Sequence, residues 1–235
     1  MATAAIIQEE LHLASSKEKS ISLQRFFKTG PGQYGFGDKF IGVMVPAQRA
    51  IVKKYFRDTS LAEIQKLVQS KIHEERLTGL IILVEQYKIA DEKNQKQIFN
   101  FYVKNFRYVN NWDLVDVTCR DVIGAYLFDK PKTLLYKLVQ SKNLWYRRIA
   151  IISTFYFIQR KQYADSLKIA KLLLNDREDL IHKAVGWMLR EIGKRSPAVE
   201  EKFLRKYASK MPRTMLRYAI EKFSPEIRRY YLSLS

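Results

Sequence analysis

Cysteine and histidine are nearly absent from the sequence. One cysteine, Cys119, occurs in 235 residues, so no disulfide can form within the chain and a reducing compartment is expected. The three histidines, His12, His73 and His182, lie far apart and show no metal-ligand spacing. We therefore expect no zinc site, although an all-carboxylate metal site stays open on this argument.

Long hydrophobic runs and targeting signals are also missing. No apolar run reaches the roughly 18 residues that a membrane-spanning helix needs. The first ten residues place no basic segment before their short apolar patch and then turn acidic, which is not typical of a secretory signal. These features predict a soluble, cytoplasmic protein.

Glycine and proline are scarce, at 9 and 6 residues, and much of the glycine is concentrated in one segment. Residues 29–42 form the one long loop signal, but they lack the Lys-Ser/Thr pair of a phosphate-binding loop and a preceding strand. We expect no nucleotide cofactor. Elsewhere apolar residues recur at spacings of three and four, as at Leu61, Ile64, Leu67 and Val68. Short breaks separate these segments, so the pattern predicts an all-α chain.

Acidic residues are too few to balance the basic ones. The 42 Lys and Arg residues outnumber the 24 Asp and Glu residues, which leaves a formal charge of +18. Such an excess destabilises a compact chain by self-repulsion and favours a polyanionic partner. Because no sequence-reading motif accompanies it, we expect nucleic-acid binding dominated by the phosphate backbone and sensitive to salt.

A weak repeat runs through the helical part. Four similar segments begin at residues 72, 108, 144 and 180, a step of 36 residues. Each has polar residues followed by an apolar helix. This step fits two-helix repeats of the HEAT or armadillo kind, which stack into a solenoid with a concave face. It also matches the tetratricopeptide length, but the Trp and Pro pattern of that repeat is absent. The register makes Arg76, Trp112, Arg148 and Ala184 equivalent.

One group of side chains in this register has the chemistry of a site. Trp112 and Asp116 are four residues apart and share a helix face. The repeat predicts that they converge with Arg148 and Trp187. The indoles could stack on a nucleoside, the guanidinium suits a phosphate, and the carboxylate can stabilise a developing cation. Taken singly, such a Trp is more often core and such an Asp–Arg pair more often structural.

Two other carboxylates compete with Asp116. Asp113 is one residue from Trp112 and should point to a different side of the helix. Asp121 lies five residues beyond Asp116 and is expected to be a solvated or capping group.

Four sequence blocks together resemble the AlkD family, DNA alkylation repair glycosylases built from HEAT-like repeats. They are the Gly-rich block at 28–49, Asn-Trp-Asp-Leu-Val-Asp at 111–116, Leu-Trp-Tyr-Arg-Arg at 144–148, and Lys-Ala-Val-Gly-Trp-Met-Leu-Arg-Glu at 183–191. The blocks occur in family order, and the likeness runs from about residue 20 to about residue 220. The second and fourth blocks together are specific.

The resemblance implies a fold and an activity. The fold would be a right-handed all-α solenoid of HEAT-like repeats with a concave basic face, as a single domain over residues 1–235. Its parts would be the N-terminal helices and Gly-rich loop at 1–45, repeats at about 46–222 and a short tail at 223–235. The activity would be hydrolytic excision of purines alkylated at N3 or N7 from duplex DNA, with the lesion held in the duplex. No deep base pocket, metal, cofactor or lyase step would be required, and we expect a monomer.

The resemblance also implies roles for residues. Asp116 would be the catalytic carboxylate, with Trp112 and Trp187 against the deoxyribose of the lesion. Arg148 would hold the DNA backbone. A family Tyr near the DNA is replaced here by Phe26 or Phe27. Further DNA contacts are expected from the basic side chains around these blocks, namely Arg76, Arg147, Lys183 and Arg190.

Two other functions remain open at this point. A non-catalytic protein that binds DNA structures would share the basic face but be indifferent to loss of Asp116. A helical-repeat scaffold for a protein partner would show little affinity for duplex DNA, and the charge of +18 argues against it.

Overall fold

The prediction of an all-α chain is confirmed by a computed structural model that describes residues 2–234. Over that range the regular secondary structure is helical. The described segments outside the helices contribute only two isolated bridge pairs, Ala2–Thr59 and Lys39–Ile72. None of the described helices is both long enough and apolar enough to cross a bilayer.

The chain divides into two compact units, the first ending at Val122 and the second beginning at Ile123. The helices of the first unit are α1 (Ala4–Leu13), α2 (Lys17–Phe26), α3 (Val45–Tyr55), α4 (Leu61–Val68), α5 (His73–Ile89), α6 (Glu92–Lys104) and α7 (Trp112–Cys119). A π-helical turn, Arg120–Gly124, follows α7. The prediction of a single domain stays a prediction.

The second unit continues the helical pattern. Its helices are α8 (Ala125–Leu127), α9 (Thr133–Leu138), α10 (Leu144–Ser153), α11 (Phe155–Gln159), α12 (Ala164–Leu172), α13 (Asp179–Gly193), α14 (Pro197–Tyr207), α15 (Arg213–Ala219) and α16 (Pro225–Ser233). The predicted C-terminal tail is therefore helical, and α16 packs on α15 with Tyr231 buried.

Helix starts follow simple chemistry. Pro197 and Pro225 lie in the first turns of α14 and α16, where the missing N–H costs no hydrogen bond. Ser60 accepts a hydrogen bond from the N–H of Glu63 at the start of α4, and Asp91 accepts one from Asn94 at the start of α6. The short polar breaks in the sequence are therefore helix boundaries.

One long helix lies at the centre of each unit. In the first unit, α5 is buried along almost its whole first three turns and packs against α1, α3, α4, α6 and α7. In the second unit, α13 packs against α10, α12, α14 and α15. Gly186 allows the last of these contacts, because a Cβ there would lie 2.5 Å from the Met215 carbonyl oxygen.

A hydrogen-bonded motif repeats at three helix starts and corrects the predicted register. In each copy, the side-chain oxygen of a first residue accepts a hydrogen bond from the backbone N–H two residues later. The backbone carbonyl of that first residue accepts a second hydrogen bond, from the side chain six residues later. The carbonyl pairs are Ser70 with Arg76, Ser141 with Arg147, and Asp176 with His182.

The copies of this motif are 71 and 35 residues apart, rather than multiples of 36. Arg76 is therefore equivalent to Arg147, and not to Arg148. The predicted copy at residue 108 is also wrong, because α7 begins at Trp112. Trp112 is a helix-first residue like His73 and Leu144.

A buried acid in the second unit predicts a pH effect on stability. Glu200 in α14 is 1% exposed, and its Oε1 has no hydrogen-bond partner among the described residues. Burial, with a smaller contribution from Glu201, raises the pKa of Glu200 to about 8. The folded protein therefore keeps a proton that the unfolded chain releases near pH 4.5, so the free energy of unfolding falls as pH rises between these values.

We expect Glu200→Gln to remove this loss. At pH 8 the variant should be more stable than the wild type by about 4 kcal/mol, while near pH 4 the two should differ little. Urea unfolding at both pH values measures the difference. An equal difference at both would show that Glu200 does not titrate in this range.

Candidate functional site

Helix α7 carries Trp112 and Asp116, the two side chains that the sequence predicts to share one helix face. Asn111 caps the helix by accepting the N–H of Trp112 at 2.8 Å through its own side chain. Trp112 and Asp116 follow one turn apart, and both are partly exposed, whereas Asp113, Leu114 and Val115 between them are buried. The helix thus directs an indole and a carboxylate to the same side.

A stack of aromatic rings supports Trp112. Its indole lies parallel to Phe27, with ring centroids 5.1 Å apart, and Phe27 stacks on Phe40 at 4.9 Å. Phe40 in turn stacks on His73 at 4.5 Å. Phe26 packs edge-on against Trp112 at 5.8 Å. The position of the indole is therefore determined by residues from α2, the Gly-rich loop and α5.

The two phenylalanines have different roles. Phe26 is 62% exposed beside Trp112, so it remains a candidate for contact with DNA. Phe27 is only 6% exposed and lies inside the stack. The prediction that Phe27 contacts DNA is therefore corrected, since its ring is covered by Phe26, Phe40 and Trp112.

A buried ionic cluster lies behind the same helix. His73 is placed between Asp113, at 2.7 Å from its Nε2, and Asp38, at 3.1 Å from its Nδ1. Arg76 donates to Asp38 at 2.6 Å, and Asn111 donates to the other oxygen of Asp38 at 3.1 Å. Sequence reasoning missed this cluster, because its hydrogen-bonded partners are 35 to 73 residues apart and share no motif.

Arg76 belongs to this cluster, and its prediction is corrected. Its side chain is 3% exposed and is tied to Asp38 and to the carbonyl of Ser70. A guanidinium in this position supports the protein interior and has no surface to offer to a DNA phosphate.

Asp116 lines a polar cavity of about 230 Å³ within the first unit. The cavity wall carries three cationic side chains and a second carboxylate, together with apolar atoms of α5 and α7; the charged members are Arg49, Lys88, Arg120 and Asp121. Cations around a carboxylate favour its ionised form. This arrangement can hold water beside a charged oxygen and can stabilise a cation that forms at the cavity mouth.

The prediction for Asp121 is also corrected. Asp121 is partly buried, lines the same cavity as Asp116 and receives two hydrogen bonds from Arg120, at 2.7 and 2.8 Å. Asp113 does point elsewhere, as predicted, and it is buried against His73.

A second cavity, apolar and of about 260 Å³, borders Trp112. Its wall includes the aromatic stack and residues of α3; the aromatic members are Phe26, Phe27, Phe40 and Trp112. The sequence shows no sign of this space, since it is enclosed by side chains from four separate segments.

In the second unit, the two adjacent arginines are engaged within the protein. Arg147 makes a two-pronged ion pair with Asp176, at 2.6 and 3.2 Å, and donates to the carbonyls of Ser141 and Lys142. Arg148 is 5% exposed and donates to the carbonyl of Leu180 in α13. Arg147 is thus a support between α10 and the start of α13. Arg148 is almost as buried as Arg76, so its predicted phosphate contact is corrected on the same ground.

Helix α13 carries the remaining candidates. Trp187 is partly exposed and packs on Phe155, with ring centroids 5.7 Å apart. Lys183, one turn before Trp187, pairs with Asp179 at 2.8 Å and keeps much of its side chain exposed. Arg190 pairs with Glu221. Their convergence with Trp112 and Asp116 stays a prediction, as does the concave basic face.

The described residues contain no group of side chains typical of a metal site. Among residues 2–234, no three His, Cys, Asp or Glu side chains are grouped so that they could hold a metal ion. The cluster around His73 instead combines two carboxylates with two cationic partners.

Comparisons with known proteins agree with this fold. A solved structure described as a predicted DNA alkylation repair enzyme from Enterococcus faecalis superposes with a TM-score of 0.72 at 17% identity, covering 90% of this chain and 97% of that one. AlkD2 from Streptococcus mutans gives a TM-score of 0.56 at 15% identity, covering 89% and 99%. The protein smu.31 from Streptococcus mutans UA159 gives 0.54 at 16% identity, covering 93% and 96%. At these identities the likeness shows the helical-repeat fold alone, as the sequence predicts.

The family assignment is carried by the sequence. No curated protein matches the chain significantly. The profile of the family described as DNA alkylation repair enzyme matches residues 7–223, which includes α7, the Gly-rich loop and α13. The chain therefore belongs to the DNA alkylation repair enzyme family.

Proposed function

We propose that the chain is a monofunctional DNA glycosylase, which hydrolyses the N-glycosidic bond of cationic N3- or N7-alkylated purines in duplex DNA. The observation that carries this proposal is the pair on α7, an indole and a carboxylate one turn apart, in a family of DNA alkylation repair enzymes. We place its action inside the cell, on DNA, as a monomer and in base excision repair.

The chemistry requires little beyond a placed carboxylate. When the bond between C1′ and the purine nitrogen breaks, both electrons leave with the base, and the positive charge of the lesion moves to the deoxyribose. Asp116 stabilises that developing cation and orients the water whose oxygen forms the new bond to C1′. The water releases its proton, and the base departs neutral. Trp112 and Trp187 provide flat walls for the sugar.

Binding rests mainly on charge. A net charge of +18 attracts duplex DNA. Lys183, one turn before Trp187, keeps much of its side chain exposed, and it forms the proposed set of basic contacts on α13 together with Arg190. Phe26, exposed beside Trp112, would meet the DNA next to the lesion.

The test is base release from duplex DNA carrying different lesions. Because the charge of the lesion drives bond breakage, the protein should release N3-methyladenine and N7-methylguanine and should release uracil or hypoxanthine at least about a hundredfold more slowly. Chromatography of released bases measures all four. Equal release of uracil would overturn the mechanism, and salt-sensitive DNA binding with no release of any base would favour the non-catalytic DNA-structure binder.

A further inference from the structure

His73 has a role that neither its position in the sequence nor the family assignment indicates. It is the first residue of α5, its side chain is buried, and each ring nitrogen faces a different carboxylate. Asp38 comes from the Gly-rich loop and Asp113 from the first turn of α7. One imidazole ring thus connects three segments of the first unit.

The hydrogen-bond geometry favours the doubly protonated form of the ring. An ionised carboxylate can only accept hydrogen bonds, so both ring nitrogens must donate, which requires the imidazolium form. The charge count agrees, since two carboxylates, Asp38 and Asp113, then face two cations, His73 and Arg76. A neutral ring would leave one buried carboxylate facing a lone pair.

The pKa values follow the same direction. Burial alone lowers the pKa of His73, but Asp113 and then Asp38 outweigh it, so the pKa lies above its ordinary value of 6.5. Burial raises the pKa of Asp38, but the bonds from His73 and the charge of Arg76 outweigh it, so that pKa is lowered.

The cluster is linked directly to the reacting side chains. Asp113 lies between Trp112 and Asp116 in the sequence of α7, so its bond to His73 holds the start of that helix. The ring of His73 also ends the aromatic stack, through Phe40 and Phe27, that supports the indole of Trp112. Backbone and indole are thereby held by the same residue.

We propose that His73 is a positioning residue for base release: its doubly protonated ring, held between Asp38 and Asp113, fixes the orientation of Trp112 and Asp116. This inference rests on the proposed function. Loss of the proton leaves one of the two carboxylates facing a lone pair and weakens the link that the ring makes between the Gly-rich loop and α7, so base release should decrease as His73 deprotonates.

Other groups near His73 are accounted for by their own contacts. Arg76, one turn along the same helix, is committed to Asp38 and Ser70. Helix α3 meets α5 through the neutral pair of Gln48 and Thr78, and α4 meets it at Gly79 through apolar side chains. The pKa of His73 is therefore set by burial, by the two carboxylates and by the charge of Arg76.

The first experiment is the pH profile of base release under single-turnover conditions with saturating DNA, between about pH 5 and pH 9. For the wild type the rate should fall by up to about tenfold per pH unit above the His73 titration. Asp113→Asn keeps the shape of the side chain but removes one anion, so the fall should begin at least about one pH unit lower. His12→Gln, at an exposed histidine on α1, is the matched control and should follow the wild type.

Ratios of variant to wild-type rates cancel any titration of the lesion itself. A purely structural role of the cluster would lower the stability of Asp113→Asn but leave the two pH profiles parallel. Parallel profiles for folded Asp113→Asn and wild type would overturn the proposal.

A second measurement does not depend on base release. Nitrogen NMR of the full-length wild type reports how many protons the His73 ring carries, and the indole N–H signal of Trp112 reports its surroundings. We expect two ring protons near pH 6 and a shift of the Trp112 signal with the same midpoint as His73. A singly protonated ring at that pH, or a Trp112 signal that ignores the His73 titration, would refute the inference. If no base is released but both signals titrate together, the glycosylase proposal fails and the link from His73 to Trp112 stands.

Discussion

Asp116→Asn should lower the rate of base release from methylated duplex DNA by at least about a hundredfold, with DNA affinity changed less than about threefold. The asparagine has the same shape and can fill the same place in the polar cavity. It cannot stabilise positive charge on the deoxyribose, and that charge is large only in the transition state. Single-turnover base release and a separate binding titration distinguish the two effects.

Asp121→Asn is the matched control for this experiment. Asp121 lines the same cavity and is a carboxylate of the same type, but its oxygens are bonded to Arg120. We expect it to keep base release within about threefold of the wild type, since removal of a partly exposed ion pair has a small effect. If Asp121→Asn abolished release and Asp116→Asn did not, the two carboxylates would have to exchange roles.

Local patterns in the sequence predict the local structure well. The spacing of Ile64, Leu67 and Val68 places all three on the buried face of α4. Trp112 and Asp116 share a side of α7 because four residues make about one helical turn, whatever surrounds the helix. Such features depend only on neighbours along the chain.

The repeat register fails because the segments between helices vary in length. The helices that begin at His73, Trp112 and Leu144 start 39 and 32 residues apart, so no constant step aligns them. A constant step of 36 makes Arg76 and Arg148 look equivalent. The motif shows that Arg147 is the equivalent of Arg76, because these two arginines bond to the carbonyls of Ser70 and Ser141 in the same way. Apolar periodicity is compatible with repeat alignments that differ by one residue. The hydrogen-bonded motif distinguishes between them, because it involves specific atoms of specific residues.

The supporting contacts of the site are the least predictable part. His73 meets Asp38 and Asp113 only after the Gly-rich loop and two helices have packed together. Burial turns Phe27 and Arg76 from candidate DNA contacts into internal supports. Charge and aromaticity are visible in a sequence, but whether they face water or protein depends on tertiary packing.

The Gly-rich loop owes its shape to one buried carboxylate, Glu74 in α5. Its oxygens accept three consecutive backbone N–H groups, those of Ile41, Gly42 and Val43, with the shortest bond 2.8 Å long. Gly42 has φ of +85°, and a Cβ there would lie 2.1 Å from the carbonyl oxygen of Ser16. The loop can therefore approach α2 here only at a glycine, and Glu74 is the acceptor that its three N–H groups find among residues 2–234.

Glu74→Ala should lower the free energy of unfolding by about 4 kcal/mol, because three N–H groups lose a charged acceptor in a buried place. Glu75→Ala is the matched control. Glu75 is equally buried, but it bonds to Gln8 of α1 and leaves the loop untouched.

Hydrogen exchange distinguishes the two variants residue by residue. In Glu74→Ala the amides of residues 41–43 should lose their protection, whereas in Glu75→Ala they should keep it. Because Asp38 and Phe40 lie on the same loop, Glu74→Ala should also change the indole signal of Trp112, which depends on the stack from Phe40 through Phe27. Retained protection at residues 41–43 in Glu74→Ala would mean that another group holds the loop, and the link from Glu74 to Trp112 would then be lost.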